Sequence, residues 1–133
     1  MSTRVKKRIL IIDPEPNMRR VIQICLEKIG GWEVWAAASD QEGLIIAQRN
    51  QLDAILSEGI MPQIDIEFLL QQLRSNPDTA EVPIVLLTSD LNLTEQHQIS
   101  SLGVAGAIAK PFAPLSLVPT IATILGWSLD RPQ

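Results

Sequence analysis

Short apolar runs alternate with amphipathic stretches along this chain. The apolar runs are five or six residues long, a usual strand length, and lie at residues 8–12, 32–37, 54–58, 83–87 and 104–109. Between them, apolar residues recur every three or four positions, as on one face of a helix. Strands and helices that alternate with short connections predict an α/β fold, in which a mostly parallel sheet carries helices on both faces.

The helical pattern appears in five segments, at residues 17–29, 40–50, 65–75, 93–102 and 114–125. Pro16 suits the first turn of the first helix, and Gly30 suits its end. Ser39 or Asp40 suits the cap of the second helix. The fourth segment is polar, so we expect it to be the least stable helix.

The last segment carries two apolar stripes. The first stripe consists of Leu115, Val118, Ala122 and Leu125, and the second, offset from it, of Leu117, Ile121 and Ile124. One stripe is enough to face a core, so we predict that the second is exposed and forms a partner face. The alternative is that the tail with Trp127 covers this second stripe. Pro119 lies too deep in the segment for a first-turn proline, which predicts a kink or a restart near Val118.

Polar and charged residues stand where four of the predicted strands end. Asp13 follows the first strand, Glu58 ends the third, Thr88 follows the fourth, and Lys110 follows the fifth. Ligands of open parallel sheets bind at the carboxyl ends of the strands. We therefore expect two carboxylates, a hydroxyl and an ammonium to converge at one edge of the sheet.

Length and composition limit the classes of protein that fit. The 133 residues suit one domain, with 46% hydrophobic and 20% charged residues. No apolar run reaches the roughly 18 residues that span a bilayer, and the basic residues at positions 4–8 precede too short an apolar run for a signal peptide. We therefore expect a cytoplasmic protein, with a basic tail at 1–8, a domain at 9–126 and a C-terminal tail at 127–133.

Charge and reactive residues exclude several kinds of site. The formal net charge of −4 argues against nucleic-acid binding, which needs clustered Lys and Arg. Cys25 is the only cysteine and lies on the apolar stripe of the first helix, which favours an inert core position. His97 has no second ligand at metal-binding spacing. A nucleotide-binding enzyme would need glycines after the first strand, where Asp13-Pro14-Glu15-Pro16 stands instead.

These motifs resemble the receiver domain of two-component response regulators, which has a flavodoxin-like fold with a doubly wound five-stranded parallel sheet. The resemblance covers almost the whole chain. It rests on the acidic end of the first strand at Asp13, the Glu58 strand with its following Ile60-Met61-Pro62, the pair Thr88-Ser89 and the run Lys110-Pro111-Phe112.

The resemblance implies phosphoryl transfer from a histidine kinase to an aspartate. It also implies Mg²⁺ held by two acids and a carbonyl, with a lysine and a hydroxyl binding the phosphoryl oxygens; Lys110 and Thr88 match these two positions. Glu58 stands at the phosphoacceptor position, and Pro14 replaces the second acid beside Asp13, which leaves Glu15 as a further acid of the pocket. Glu15 also suits the first turn of a helix, where the dipole favours an acid.

Each departure from the family pattern has a physical consequence. The extra methylene of Glu58 moves its carboxylate outward by about 1.5 Å, and a misplacement of about 1 Å can cost roughly 100-fold in rate. Pro14 removes an oxygen ligand that Mg²⁺ would use, so we expect no cofactor, with Asp13 and Glu58 as the residual metal candidates. Ala107 stands where the family has an aromatic switch residue, so movement of Thr88 has no large side chain to gate.

The sequence leaves two functions open. The first is a pseudo-receiver that signals by protein contact without phosphorylation or catalysis, with a sensor kinase, an output protein or a second copy as partner. In such a pseudo-receiver, Glu58 lies near Lys110 and partly imitates the phosphorylated aspartate of the family, or it is simply a tolerated acid in a vestigial site. The second is a receiver that still accepts a phosphoryl group, on Glu58 or on Ser57, although Ser57 should face the opposite side of the sheet.

Overall fold

The computed structural model describes residues 6–59, 65–89 and 103–129. The strands in these ranges are β1 (Arg8–Ile12), β2 (Glu33–Ala37), β3 (Ala54–Glu58), β4 (Ile84–Thr88) and β5 (Gly106–Ala109). The helices are α1 (Pro16–Lys28), α2 (Asp40–Arg49), α3 (Ile66–Arg74) and α4 (Leu117–Leu125). The predicted helix at 93–102, with His97, lies outside the described residues.

The strands form one parallel sheet in the order β2-β1-β3-β4-β5. This order confirms the predicted flavodoxin-like, doubly wound fold. Because β2 lies on one side of β1 and β3 lies on the other, the chain changes direction across the sheet between β1 and β3. The carboxyl ends of these two strands therefore border the crevice in which such sheets bind ligands.

Both faces of the sheet are covered, so its inner strands are apolar on both sides. On one face, Ile9, Leu56 and Val85 pack with residues of α1 and α4. On the other face, neighbouring strand residues such as Ile55 pack with residues of α2 and α3. Cys25 is buried in α1, as predicted.

Side chains cap the starts of three helices, and one of them, Ser39, is a predicted cap. The Ser39 side chain accepts a hydrogen bond from the amide of Glu42 and caps α2, and Asp65 caps α3 in the same way. Pro16 is the first residue of α1, and Glu15 precedes it as the cap. These side chains satisfy amide groups that have no partner within the helix.

The predicted partner face on the last helix is wrong. Leu117 and Ile121 are buried in the core, and Ile124 is half-buried and packs against it. Leu115, which we expected to face the core, is 77% exposed. The two predicted stripes lie side by side in α4, and Leu117, Val118, Ile121 and Ala122 form one wide buried face. Leu115 lies off this face, in a 3₁₀ turn at Pro114–Ser116 that winds more tightly than an α-helix.

The predicted restart near Val118 is confirmed, because α4 begins at Leu117 after the 3₁₀ turn. Pro119 is then the third residue of α4 and lies in its first turn. The missing amide of Pro119 therefore costs no helical hydrogen bond, since the first amides of a helix have no partner within it.

The folded unit is slightly wider than the predicted domain at 9–126. Strand β1 begins at Arg8, and Trp127 packs edge-to-face on Trp32, with 5.1 Å between ring centroids. The ammonium of Lys7 lies 4.9 Å from the centroid of the Trp127 ring. In the described part of the chain, no helix has the length and hydropathy of a membrane span.

Candidate functional site

The four residues predicted at the strand ends come together at the carboxyl edge of the sheet. Asp13 follows β1, Glu58 ends β3 and Thr88 ends β4, and all three are buried. Lys110 follows β5, and its amide donates to the carbonyl oxygen of Thr88 at 2.9 Å. The parallel register therefore places two acids, a hydroxyl and an ammonium at one edge, as the sequence predicted.

Glu58 and Lys110 form a direct ion pair. The Nζ of Lys110 donates to the Oε2 of Glu58, and the Oε1 of Glu58 accepts from the amide of Gly59 at 3.0 Å. The Glu58 side chain is only 3% exposed and that of Lys110 is 21% exposed. A hydrogen bond between charged groups in such a sheltered place contributes about 1.5–3 kcal/mol.

Asp13 is the second acid beside Lys110. Its Oδ1 accepts from the amide of Glu15 at 2.9 Å, and its Oδ2 lies 3.9 Å from the Nζ of Lys110. Oδ2 is buried and accepts no hydrogen bond within the described ranges. Burial raises the pKa of the Asp13 carboxyl; the Glu15 amide and Lys110 oppose this rise, while the charges of Glu58 and Glu15 add to it.

Glu15 lies at the margin of this site. It is exposed, and its Oε1 accepts from the amide of Met18 at 2.8 Å, as the cap of α1. The sequence predicts Glu15 in the first turn of the helix, and the structure places it one residue earlier, as the N-cap that precedes Pro16. It acts on Asp13 through its backbone amide and its charge, and the buried acids of the site are Asp13 and Glu58.

The sequence did not point to Arg19, which fixes the backbone of Asp13. The Nη1 of Arg19 donates to the carbonyl oxygen of Asp13 at 2.7 Å. On the other side, the amide of Asp13 donates to the carbonyl oxygen of Ala37 in β2 at 3.0 Å. Hydrophobic periodicity predicts helices and strands, but it does not predict a hydrogen bond from a helix side chain to the end of a strand. The one available signal was that Arg19 lies early in α1, close in sequence to Asp13.

Pro14 stands between Asp13 and Glu15, at the position where the resembled family has a second acid. Among the residues with described positions, no group of three or more His, Cys, Asp or Glu side chains could hold a metal ion. The two buried acids, Asp13 and Glu58, share the ammonium of Lys110 between them.

Residues 57 and 107 complete the list of predicted positions. Ser57 is buried, and its hydroxyl donates to the carbonyl oxygen of Glu58 at 3.1 Å. Strand alternation places Ser57 on the face opposite to Glu58. Ala107 pairs with Leu86 in the sheet and packs against the core on the α2 side.

A mostly apolar cavity of about 300 Å³ opens beside Lys110. It lies between α1 and the segment after β5, and its lining includes Met18, Val21, Ser89 and Phe112. Leu115 follows Pro114, another lining residue, and is strongly exposed. The site is therefore bordered by apolar surface, which the sequence had assigned to a different face.

The match to a known family decides what kind of domain this is. Residues 9–122 match the family described as "Response regulator receiver domain". The chain belongs to this family. Receiver domains are signalling modules that interact with partner proteins such as kinases and output domains.

Two curated relatives illustrate the range of similar proteins. The "Probable transcriptional regulator ycf27" of Porphyridium aerugineum is 33% identical over 120 residues, covering 90% of this chain and 48% of the relative. The "Probable chemotaxis protein CheY" of Rhizobium etli is 25% identical over 126 residues, covering 95% of this chain and 98% of the relative. The chain thus spans about half the length of the ycf27 relatives that it matches.

Solved receiver structures have the same fold. The chemotaxis response regulator CheY4 of Vibrio cholerae has a TM-score of 0.80 and 26% identity, covering 90% of this chain and 99% of that one. A structure described as a response regulator from Chloroflexus aurantiacus has a TM-score of 0.78 and 30% identity, covering 91% and 98%.

Proposed function

We propose that this receiver domain signals by contact with a partner protein, without phosphorylation and without catalysis of its own. The observation that carries the proposal is the ion pair between Glu58 and Lys110. The lysine that would bind a phosphoryl group already binds the side chain at the phosphoacceptor position. The Glu58–Lys110 ion pair would therefore be present at all times, and the pocket would not switch between a phosphorylated and an unphosphorylated form.

The length of the Glu58 side chain supports this proposal. Its carboxylate reaches about 1.5 Å farther than that of an aspartate, and both of its oxygens are engaged, by Gly59 and Lys110. In-line attack on a phosphodonor would require Glu58 to leave both partners and retract. The imitation of a phosphorylated state is partial, because a planar carboxylate with one charge replaces a tetrahedral group with nearly two.

The donor set of the site also fits Mg²⁺ poorly. Mg²⁺ requires near-octahedral oxygen ligands and dehydrates reluctantly. Pro14 supplies no oxygen from its side chain, and Lys110 brings a positive charge to within 3.9 Å of Asp13 and into contact with Glu58. We propose that Lys110 provides the positive charge of this pocket and that Mg²⁺ binds weakly.

The partner surface proposed here replaces the stripe on α4. Val21 and Ile24 on α1 are 41% and 44% exposed, and Leu115 is 77% exposed. Val21 lines the cavity beside Lys110. Exposed apolar residues beside the site offer a partner protein a surface to bury; a sensor kinase, an output protein or a second copy of this chain could use it.

A second function has support from the same site. Asp13, Thr88 and Lys110 stand at strand ends and match the family positions through the resemblance of their motifs, so a phosphoryl group transferred to Glu58 would meet part of its usual surroundings. This alternative requires Glu58 to react despite its length and its ion pair.

Incubation with Mg²⁺ and acetyl phosphate, followed by intact mass measurement, separates the two functions. We expect no phosphoryl adduct on the natural chain. The matched control is the double variant P14D/E58D, which restores the acid pair and the shorter phosphoacceptor and should gain one phosphoryl group. Phosphorylation of the natural chain that is lost in E58Q would overturn the proposal and establish the alternative.

A further inference from the structure

The turn from Asp13 to Glu15 is fixed by hydrogen bonds from two neighbouring elements. The Asp13 amide donates to β2 through the carbonyl oxygen of Ala37, and the Asp13 carbonyl oxygen accepts from Arg19 of α1. The Asp13 carboxylate accepts from the amide of Glu15. The backbone and the side chain of Asp13 are therefore both held in place.

Arg19 supplies a side-chain donor to the carbonyl oxygen of Asp13 at the end of β1. The guanidinium of Arg19 donates to this carbonyl at 2.7 Å from six residues away in the sequence. A donor with a positive charge makes a stronger hydrogen bond than a neutral one, which suits it to fix the end of β1.

The direction of the Asp13 side chain depends on this backbone. With its Oδ1 on the Glu15 amide, Asp13 presents its buried Oδ2 to the ammonium of Lys110 at 3.9 Å. Rotation of the Asp13 carbonyl about the Cα–C bond would move Pro14 and the Glu15 amide. The carboxylate would then lose this amide or turn with it, and Oδ2 would move away from Lys110. Asp13 is thus a second ion-pair partner of Lys110, beside Glu58, only while the turn is held.

We propose that Arg19 is a positioning residue for this site: by holding the Asp13 carbonyl, it keeps the Asp13 carboxylate facing Lys110 as a second ion-pair partner of the ammonium. This inference deepens the proposed function, since it names what keeps a second carboxylate beside Lys110 in addition to Glu58. It rests on the site geometry and on the proposed role of Lys110 as the resident positive charge.

The Lys110 ammonium can be observed directly by ¹⁵N NMR, because the chain has only four lysines: Lys6, Lys7, Lys28 and Lys110. A lysine ammonium held by acceptors exchanges its protons slowly and gives a signal that exposed ammonium groups lose. In E58Q, the Asp13 carboxylate remains beside the Lys110 ammonium as its ion-pair partner. We expect E58Q to keep the Lys110 signal and D13N/E58Q to lose it.

Changes at Arg19 in the E58Q background then test the proposal. R19M/E58Q keeps the stem, removes the donor and should lose the Lys110 signal, although Asp13 is unchanged. R19K/E58Q retains a charged donor with nearly the same reach and should keep the Lys110 signal. R20M/E58Q is the matched control, since Arg20 is the exposed neighbour, and it should leave the signal unchanged.

A Lys110 signal in R19M/E58Q equal to that in E58Q would overturn the proposal, and so would its absence from E58Q itself. If R19M/E58Q does not give a folded amide spectrum, R19M alone is compared with the natural chain, where a shift of the Lys110 signal is expected and an unchanged signal contradicts the proposal. All spectra are recorded without Mg²⁺ or a phosphodonor. Phosphorylation of the natural chain would therefore overturn the proposed function while leaving this result intact.

Discussion

Lys110 provides one ammonium for two buried carboxylates. Glu58 is in direct contact with it, and Asp13 lies 3.9 Å away. The pocket therefore carries an excess of one negative charge when all three groups are ionised, in a place where water cannot stabilise it. The properties of the site depend on this imbalance.

Removal of the ammonium should destabilise the fold. In K110M, Glu58 and Asp13 lose their common positive partner while remaining buried, so we expect the free energy of unfolding to fall by about 1–3 kcal/mol. Urea denaturation at neutral pH measures this loss. K28M, at an exposed lysine, should change stability by less than about 0.5 kcal/mol; equal effects of the two variants would contradict the account.

Asp13 should make stability depend on pH in a defined direction. Because burial raises its folded-state pKa above the ordinary value of 3.8, the folded chain binds this proton more tightly than the unfolded chain does. The stabilising contribution of the protonated group is complete below pH 3.8 and is lost as the pH rises through the folded-state pKa.

We therefore expect D13N, which cannot ionise, to gain stability relative to the natural chain as the pH rises from below 3.8 toward neutrality. Urea denaturation across a pH series measures the difference in the free energy of unfolding. E81Q, at an exposed carboxylate, is the control and should show no such trend. A difference for D13N that is independent of pH, or that shrinks as the pH rises, would contradict the assigned cause.

At the scale of elements, the packing of β5 on α4 depends on a residue without a side chain. A Cβ built on Gly106 would lie 2.7 Å from the Cγ2 of Ile124. Ile124 is thus a packing residue of the sheet, in contrast to its predicted place on a partner face. The close approach of the two elements requires glycine at this position.

G106A should destabilise the domain by about 1–3 kcal/mol, because the added methyl group overpacks the contact between β5 and α4. G106A/I124A, which removes the opposing side chain, should lose less stability than the sum of the two single variants. Thermal or urea denaturation of the four proteins completes this double-mutant cycle. Additive losses would mean that residues 106 and 124 do not contact each other.

The start of a helix could be predicted from the sequence where a capping side chain marks it. Ser39 caps α2, at one of the two expected positions, since a capping side chain acts on amides within a few residues. The stripe assignment on α4 failed because residues of both stripes, such as Leu117 and Val118, lie on one wide buried face. The width of that face is decided by the packing of neighbouring elements, which the 3.6-residue pattern does not show.

At the scale of the whole molecule, the parallel sheet and the meeting of Asp13, Glu58, Thr88 and Lys110 at one edge could be predicted. Apolar runs indicate buried parallel strands, and their carboxyl ends must share one edge. The role of Arg19 could not be predicted, because its contact with Asp13 depends on how α1 packs against β1. The apolar surface at Val21 and Leu115 also depends on packing, since either residue could equally have been in the core.

The central claim is that Glu58 holds Lys110 and cannot take a phosphoryl-like group. Beryllium fluoride bonds to a receptive carboxylate in the way that a phosphoryl group does, so a crystal structure grown with Mg²⁺ and beryllium fluoride tests this claim most directly. The account predicts that Glu58 keeps its ion pair with Lys110 and carries no adduct, while P14D/E58D, treated in the same way, carries one. A beryllium fluoride group bonded to Glu58 in the natural chain, with Lys110 turned toward it, would contradict the account.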